Sequence, residues 1–297
     1  MFIQYGEAEN KMQLESGESC SNLSAYPVDM SSFLAVENST LDARGVPYRA
    51  YPIVYNPITI AQYALAHWNQ YLATGYEWYR KKFLVKAHWL VEHQVHIGED
   101  AGGWPISLPQ MFPNHFRPDF HTKGPWLSAL AQGCGISVLV RAYQLTSERT
   151  FLDAAQRAVR TFERDILDGG VCAPVGEDGV FFEEVAIYPA AHSLSGCIFA
   201  LFGLYDYVVL TSDAEIEKLL QRSLVTVHDM LGEFDAGNWT YPDLLQLRLA
   251  SPSHLALQID LVETLARYTA CDSCSTIAVR WKKYQSQFRS RLRYHIR

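Results

Sequence analysis

The sequence has no surplus of positive charge: 25 lysines and arginines stand against 32 aspartates and glutamates, a formal net charge of −7. Nucleic-acid binding rests on cations that neutralise backbone phosphates, so no nucleic acid is expected as the main partner. A local basic patch for an anionic sugar polymer stays compatible with that balance. Charged residues are few, 19% against 48% hydrophobic, which leaves little composition for disorder. No apolar run reaches spanning length. The longest, CIFALFGLYDYVVL from Cys197, is broken by Gly203, Tyr205 and Asp206. The opening MFIQYGEAENKMQ has neither the basic nor the apolar region of a signal peptide. The expectation is a chain without an integral membrane segment, in the cytoplasm by default or at the edge of a membrane glycan-assembly complex. Six cysteines include one C-x-x-C, Cys271 to Cys274, with no second pair and no nearby His to complete a zinc set. Cys20, Cys134, Cys172 and Cys197 are scattered, so cysteine reads as structural, with no metal and no cofactor expected.

What the chain does have is aromatic residues, 7 Trp, 17 Tyr and 14 Phe, many of them in Pro- and Gly-rich segments where rings line grooves as well as cores. The first 44 residues are rich in Ser, Asn and Glu without a sustained helical period, and read as an N-terminal arm that orders near GVPYRAYPIVYNP. Residues 45–297 read as one domain. There, helical segments come in pairs whose first members begin near residues 57, 125, 192 and 252, a weak repeat of about 60–68 residues. The first member of each pair is apolar all round, as in ALAQGCGISVL and SLSGCIFALFGL. The second carries one apolar stripe, as in FLDAAQRAVRTFERDI. Enclosed helices covered by amphipathic ones predict an all-α fold, an (α/α) toroid of helical hairpins. Short links within pairs send the long links, 97–124, 167–191 and 232–251, to one common end. In the second of these, VCAPV and GVFF around VGEDG predict a small β-hairpin. Long links need a reason, and a cleft lined by them is one.

The stretch FFEEVAIYP, residues 181–189, carries two adjacent glutamates. Like charges penalise each other when buried, so one of Glu183 and Glu184 is expected to face solvent. An extended backbone places Phe181 with Glu183 on one face and Phe182 with Glu184 on the other. Glu184, Tyr188, Tyr241 and His254 form a candidate proton-transfer set. The first long link supplies Trp104, His115, Arg117, His121 and Lys123, to which Arg44, Arg49 and Arg248 add charge. Arg pairs bidentately with a carboxylate and Trp offers a flat face to a sugar ring. Solvated loop charges, with Trp104 folded over the core, are the alternative reading of the same residues. Tyr241 likewise reads as a packing or loop-locking residue if it is not catalytic.

Taken together, NPITIAQYALAHW (56–68), GPWLSALAQGCGISVLVRAYQLT (124–146), EEVAIYP (183–189), SLSGCIFALFGLYD (193–206), YPDL (241–244) and WKKY (281–284) resemble the helical C-terminal domain of D-glucuronyl C5-epimerases. These enzymes invert C5 of hexuronic acids in heparan-type polysaccharides. The resemblance implies an isomerase acting on a uronic-acid-containing polysaccharide by two-tyrosine proton abstraction and return, with no metal. It implies a tyrosine after the paired glutamates, which Tyr188 fills with VAI inserted, and one before an Asp-Leu pair, which Tyr241 fills with Pro242 inserted. A third implied tyrosine precedes a His at the next helix start, where this sequence has Ser253 and His254. A uronan lyase or glycoside hydrolase of the same architecture, or a noncatalytic acidic-glycan-binding module, are the alternatives. The polymer and the oligomeric state are not legible.

Overall fold

The computed structural model describes residues 23–35, 40–106, 125–269 and 271–295. A short helix α1 (Ser31–Ala35) precedes four helix pairs: α2 (Pro57–Thr74) with α3 (Glu77–Glu92), α4 (Ala129–Thr146) with α5 (Arg149–Val159), α6 (Leu194–Thr211) with α7 (Ala214–Met230), and α8 (Pro252–Thr269) with α9 (Asp272–His295). The first member of every pair is 18 residues long, a rod of about 27 Å. Local chemistry sets these bounds. Asn56 caps α2 by accepting from the Ile58 N–H, and Pro57 follows at the first helical position, where its missing N–H costs nothing. At the other end Gly75 turns left-handed at φ 71°, and its N–H returns to the Tyr71 carbonyl. Ser147 and Ser212 make the same left-handed stop for α4 and α6.

The first members form the inside. Every residue of α4 from Ala129 to Ala142 is buried, whereas α5 buries one stripe that includes Phe151, Ala155 and Val159. α4 packs between α2 and α6, and α6 also meets α8, with α3, α5, α7 and α9 outside, an (α/α) toroid of four hairpins. Glycine lets the central pair close: a Cβ on Gly133 would stand 2.6 Å from the Ala200 Cα, and one on Gly203 2.3 Å from the Gly133 carbonyl oxygen. α6 is long and apolar enough to cross a membrane by composition, but 78% of it is buried among the other helices, as a core helix should be.

The long links leave the C-terminal ends of α3, α5 and α7 and enter the N-terminal ends of α4, α6 and α8, so they share one end of the ring. They also bond to one another. Ala129 N–H donates to the Glu183 carbonyl, Leu194 N–H to the Pro242 carbonyl and Leu244 N–H to the Ala191 carbonyl. A small apolar cluster of Ile106, Trp126, Val185, Ile187 and Ala191, joined by Ile58 and Leu245, draws on all three links and on the start of α2. The expected hairpin is there, Cys172–Val175 (β5) against Gly179–Phe182 (β6). Two further hairpins, β1 (Arg49–Ala50) with β2 (Ile53–Val54) and β3 (Val95–Ile97) with β4 (Ala101–Gly103), lie in stretches that read as irregular. Both are short and Gly- or Pro-bordered, with no alternating pattern to reveal them.

The arm is more than a leader to the domain. Among the described residues, packing is already present at Leu23, well before Gly45, with Leu23, Tyr26, Val28 and Met30 buried. Asn69 of α2 exchanges hydrogen bonds with the Tyr26 backbone at 2.7 and 3.1 Å, and Trp68 donates to the Ser24 carbonyl. The Tyr26 ring lies 5.4 Å from the Arg141 guanidinium. Arg141 of α4 and Asp206 of α6 form an ion pair at 2.5 Å with side chains 1% and 6% exposed. Ser137 adds a hydrogen bond to the same carboxylate. Cys271 and Cys274 are disulfide-bonded at the start of α9. Burial pushes the thiols of Cys134 and Cys197 up to about 12 and that of Cys172 to about 11, so all three are inert as nucleophiles at neutral pH. Cys20 lies outside the described residues.

Candidate active site

The two adjacent glutamates part company: Glu183 is sealed inside, while Glu184 is half-buried and keeps part of its surface in solvent. β6 ends at Phe182, so strand alternation does not extend to the glutamates. Glu183 is fully buried, held by the Ala191 N–H at 3.2 Å, the His192 N–H at 2.9 Å and His192 Nδ1 at 2.7 Å. Three donors on one carboxylate answer the charge penalty that made solvent exposure the expectation. They also fix the turn at His192, whose φ of 51° is rare for a residue with a side chain.

Glu184 points to the N-terminal end of α6. Ser193, the residue before that helix, donates its hydroxyl to Glu184 Oε2, and the Gly196 N–H also bonds the carboxylate. A Cβ on Gly196 would stand 2.3 Å from the Glu184 Cβ, so only glycine leaves room for this approach. Desolvation raises the Glu184 pKa above the ordinary carboxylate value; Ser193 opposes the rise, while Asp243 and Glu183 add to it.

The third link crosses the same place. Ser193 and Asp243 pair as an isolated antiparallel bridge. The Asp243 carboxylate accepts from the N–H groups of Leu245 at 3.1 Å and Gln246 at 2.6 Å, and burial holds its pKa above the usual carboxylate value. Gln258 of α8 accepts from the Thr240 hydroxyl and donates to the Tyr241 carbonyl. One turn earlier on the same helix face, His254 meets the Ser195 hydroxyl through Nε2 at 3.2 Å. Burial lowers the His254 pKa below the ordinary imidazole value. Glu184, Asp243, His254 and the backbone of Tyr241 therefore lie where α6 and α8 begin.

The other predicted residues are dispersed. Tyr188 follows the apolar cluster at Ile187 and is 72% exposed. Arg49 and Arg248 are exposed and free of ion pairs among the described residues. Arg44 is engaged with Glu92 at 2.8 Å, which removes it from a free patch. Trp104 offers no face to a sugar: it is 1% exposed, its Nε1–H donates to the Leu90 carbonyl at 2.7 Å, and its ring fills the space beside Gly135. His115, Arg117, His121 and Lys123 lie outside the described residues. Ser193, Ser195 and the anchoring role of Glu183 were not foreseen. The only signal was S-x-S at the head of an apolar helix, which reads first as a cap.

Residues 99–283 match the family model of the D-glucuronyl C5-epimerase C-terminus. A D-glucuronyl C5-epimerase of Caenorhabditis elegans is 30% identical over 222 residues, 68% of this chain and 34% of the relative. A Methanocaldococcus jannaschii protein is 27% identical over 131 residues, 43% of this chain and 42% of its own. The chain thus spans less than half the length of these two relatives. Among solved structures, a Listeria innocua protein aligns with a TM-score of 0.52 at 14% identity, covering 78% of this chain and 59% of that one. A GH76 α-mannanase of Bacteroides thetaiotaomicron aligns with a TM-score of 0.50 at 16% identity, covering 82% and 58%. At such identities the likeness speaks for the fold alone.

Proposed function

Because this chain belongs to the D-glucuronyl C5-epimerase C-terminal family, we propose that it is an isomerase that inverts C5 of hexuronic acid residues in an acidic polysaccharide. The observation that supports this reading most is the convergence of Glu184, Asp243, His254 and the backbone of Tyr241 at the starts of α6 and α8. Inversion at C5 removes the hydrogen alpha to the carboxylate, leaves an enediolate, and returns a proton to the opposite face, with no net change of oxidation state. In our reading Tyr241 and Tyr188 are the acid and base pair. Glu184 tunes the transfer, and His254 stands in near the position of the absent third tyrosine. Arg248 and Arg49 are the exposed cations on this end for the uronate carboxylate, with His115, Arg117, His121 and Lys123 in the adjoining link as further candidates.

The test is incubation with uronic-acid polymers in deuterated water. Deuterium at C5 and a shifted glucuronate to iduronate ratio are expected, and Tyr241→Phe should slow the exchange about 100-fold or more, the scale of a lost general acid or base. Tyr188→Phe should do the same. An unsaturated uronate product would mean a lyase, and shorter saturated chains a hydrolase. No exchange on any uronan would overturn the isomerase reading.

A further inference from the structure

Two hydroxyls at the head of α6 have partners that a cap would not need. Ser193 is placed to cap α6, yet its side chain makes no capping hydrogen bond and donates to Glu184 instead. Ser195, two residues on and 3% exposed, meets Nε2 of His254 from α8. Ser193 is the extended residue before the helix and Ser195 lies in its first turn, so the two hydroxyls reach different partners. One holds a carboxylate delivered by the second long link, the other an imidazole delivered by the fourth inner helix.

We propose that Ser193 and Ser195 are positioning residues, which hold Glu184 and His254 at the α6 N-terminus, and that Ser195 fixes the orientation of the His254 ring through Nε2. The inference rests on the isomerase reading for its purpose, though not for its geometry. A neutral imidazole carries one proton on two nitrogens, so one is a donor and the other an acceptor. His254 Nδ1 has no hydrogen bond among the described residues. Ser195 engages Nε2 and so leaves Nδ1 as the nitrogen turned to a ligand, while its hydroxyl, able to donate or accept, fits either tautomer. The surroundings keep the ring neutral: burial alone lowers its pKa, without a charged neighbour on α6, α8 or the third link contributing. The ring's own backbone N–H donates to the Ser251 hydroxyl, which anchors the first turn of α8 beneath it.

The experiment uses the full chain labelled with nitrogen-15 at histidine, in wild type, Ser195→Ala and Ser195→Thr, with C5 deuterium exchange measured on the same samples across pH. The His254 resonances of the wild type should show one hydrogen-bonded Nε2 environment. In Ser195→Ala the Nε2 resonance should shift, kcat for exchange should fall about tenfold with KM within twofold, and the acidic limb of the pH profile should move. Ser195→Thr, which keeps the hydroxyl, should restore the resonance and the rate. Unchanged His254 resonances in a folded Ser195→Ala variant would overturn the proposal. If the wild type exchanges no C5 hydrogen but Ser195→Ala still shifts the Nε2 resonance, the positioning stands and the isomerase reading falls.

Discussion

Glu183 and Glu184 are neighbours in sequence with opposite duties, and replacing Glu183 by Ala tests the division. The substitution removes the acceptor of three donors, the N–H groups of Ala191 and His192 and the His192 ring. Each donor left unpaired in the interior costs about 1–3 kcal/mol. His192 keeps 21% of its side-chain surface, so water relieves part of the loss, and a total of about 3–5 kcal/mol is reasonable. For a chain of this size that is a fall of about 5–8 °C in Tm. Glu183→Gln should recover most of it, because its carbonyl can take the two backbone donors while its amide faces Nδ1, which accepts once the ring proton sits on Nε2. Thermal unfolding by circular dichroism reads both. A Glu183→Ala variant that melts with the wild type would refute the anchoring role and, with it, the account of how the second link is held over α6.

Glu184→Gln should leave the Tm at neutral pH equal to or above that of the wild type, since the amide can still accept from Ser193 and Gly196, while C5 exchange falls. The pH dependence follows from the raised Glu184 pKa: the folded state binds that proton more tightly than the unfolded one, so its stabilising share is full below the ordinary value of 4.5 and is lost as pH rises through the folded value. The variant lacks this loss, so its stability relative to wild type should climb over that window and then level off. Denaturant titrations at several pH values would show it, and a parallel pair of curves would count against burial of the carboxyl. Asp206→Ala strands the Arg141 guanidinium in the interior and should cost about 3–5 kcal/mol, read from the denaturant midpoint, whereas replacing both partners with apolar residues should recover much of it. Trp104→Ala should destabilise by about 3–5 kcal/mol through the cavity it opens. A loss of glycan affinity with no loss of stability would instead restore Trp104 as a sugar platform.

The sequence by itself determined the helical hairpins, their order and the end on which the long links lie. Those features are local: apolar all-round segments such as SLSGCIFALFGL must be enclosed, and Gly75, Ser147 and Ser212 stop the inner helices at equal length. In the sequence Tyr241 and His254 are candidates because the third long link and the start of the helix after it carry them. Which glutamate is the anchor was not legible, since the choice depends on three donors from residues 191 and 192 that only the folded turn presents to Glu183. Trp104 reads as a platform or a core residue with equal ease until Gly135 and the Leu90 carbonyl are seen to receive it. Ser193 and Ser195 look like ordinary capping chemistry in the chain. Only the crossing of α6 by the second and third links, and the approach of α8 beside it, turned those two hydroxyls toward a carboxylate and an imidazole, because a side chain's partner is set by which distant segment the packing brings to it.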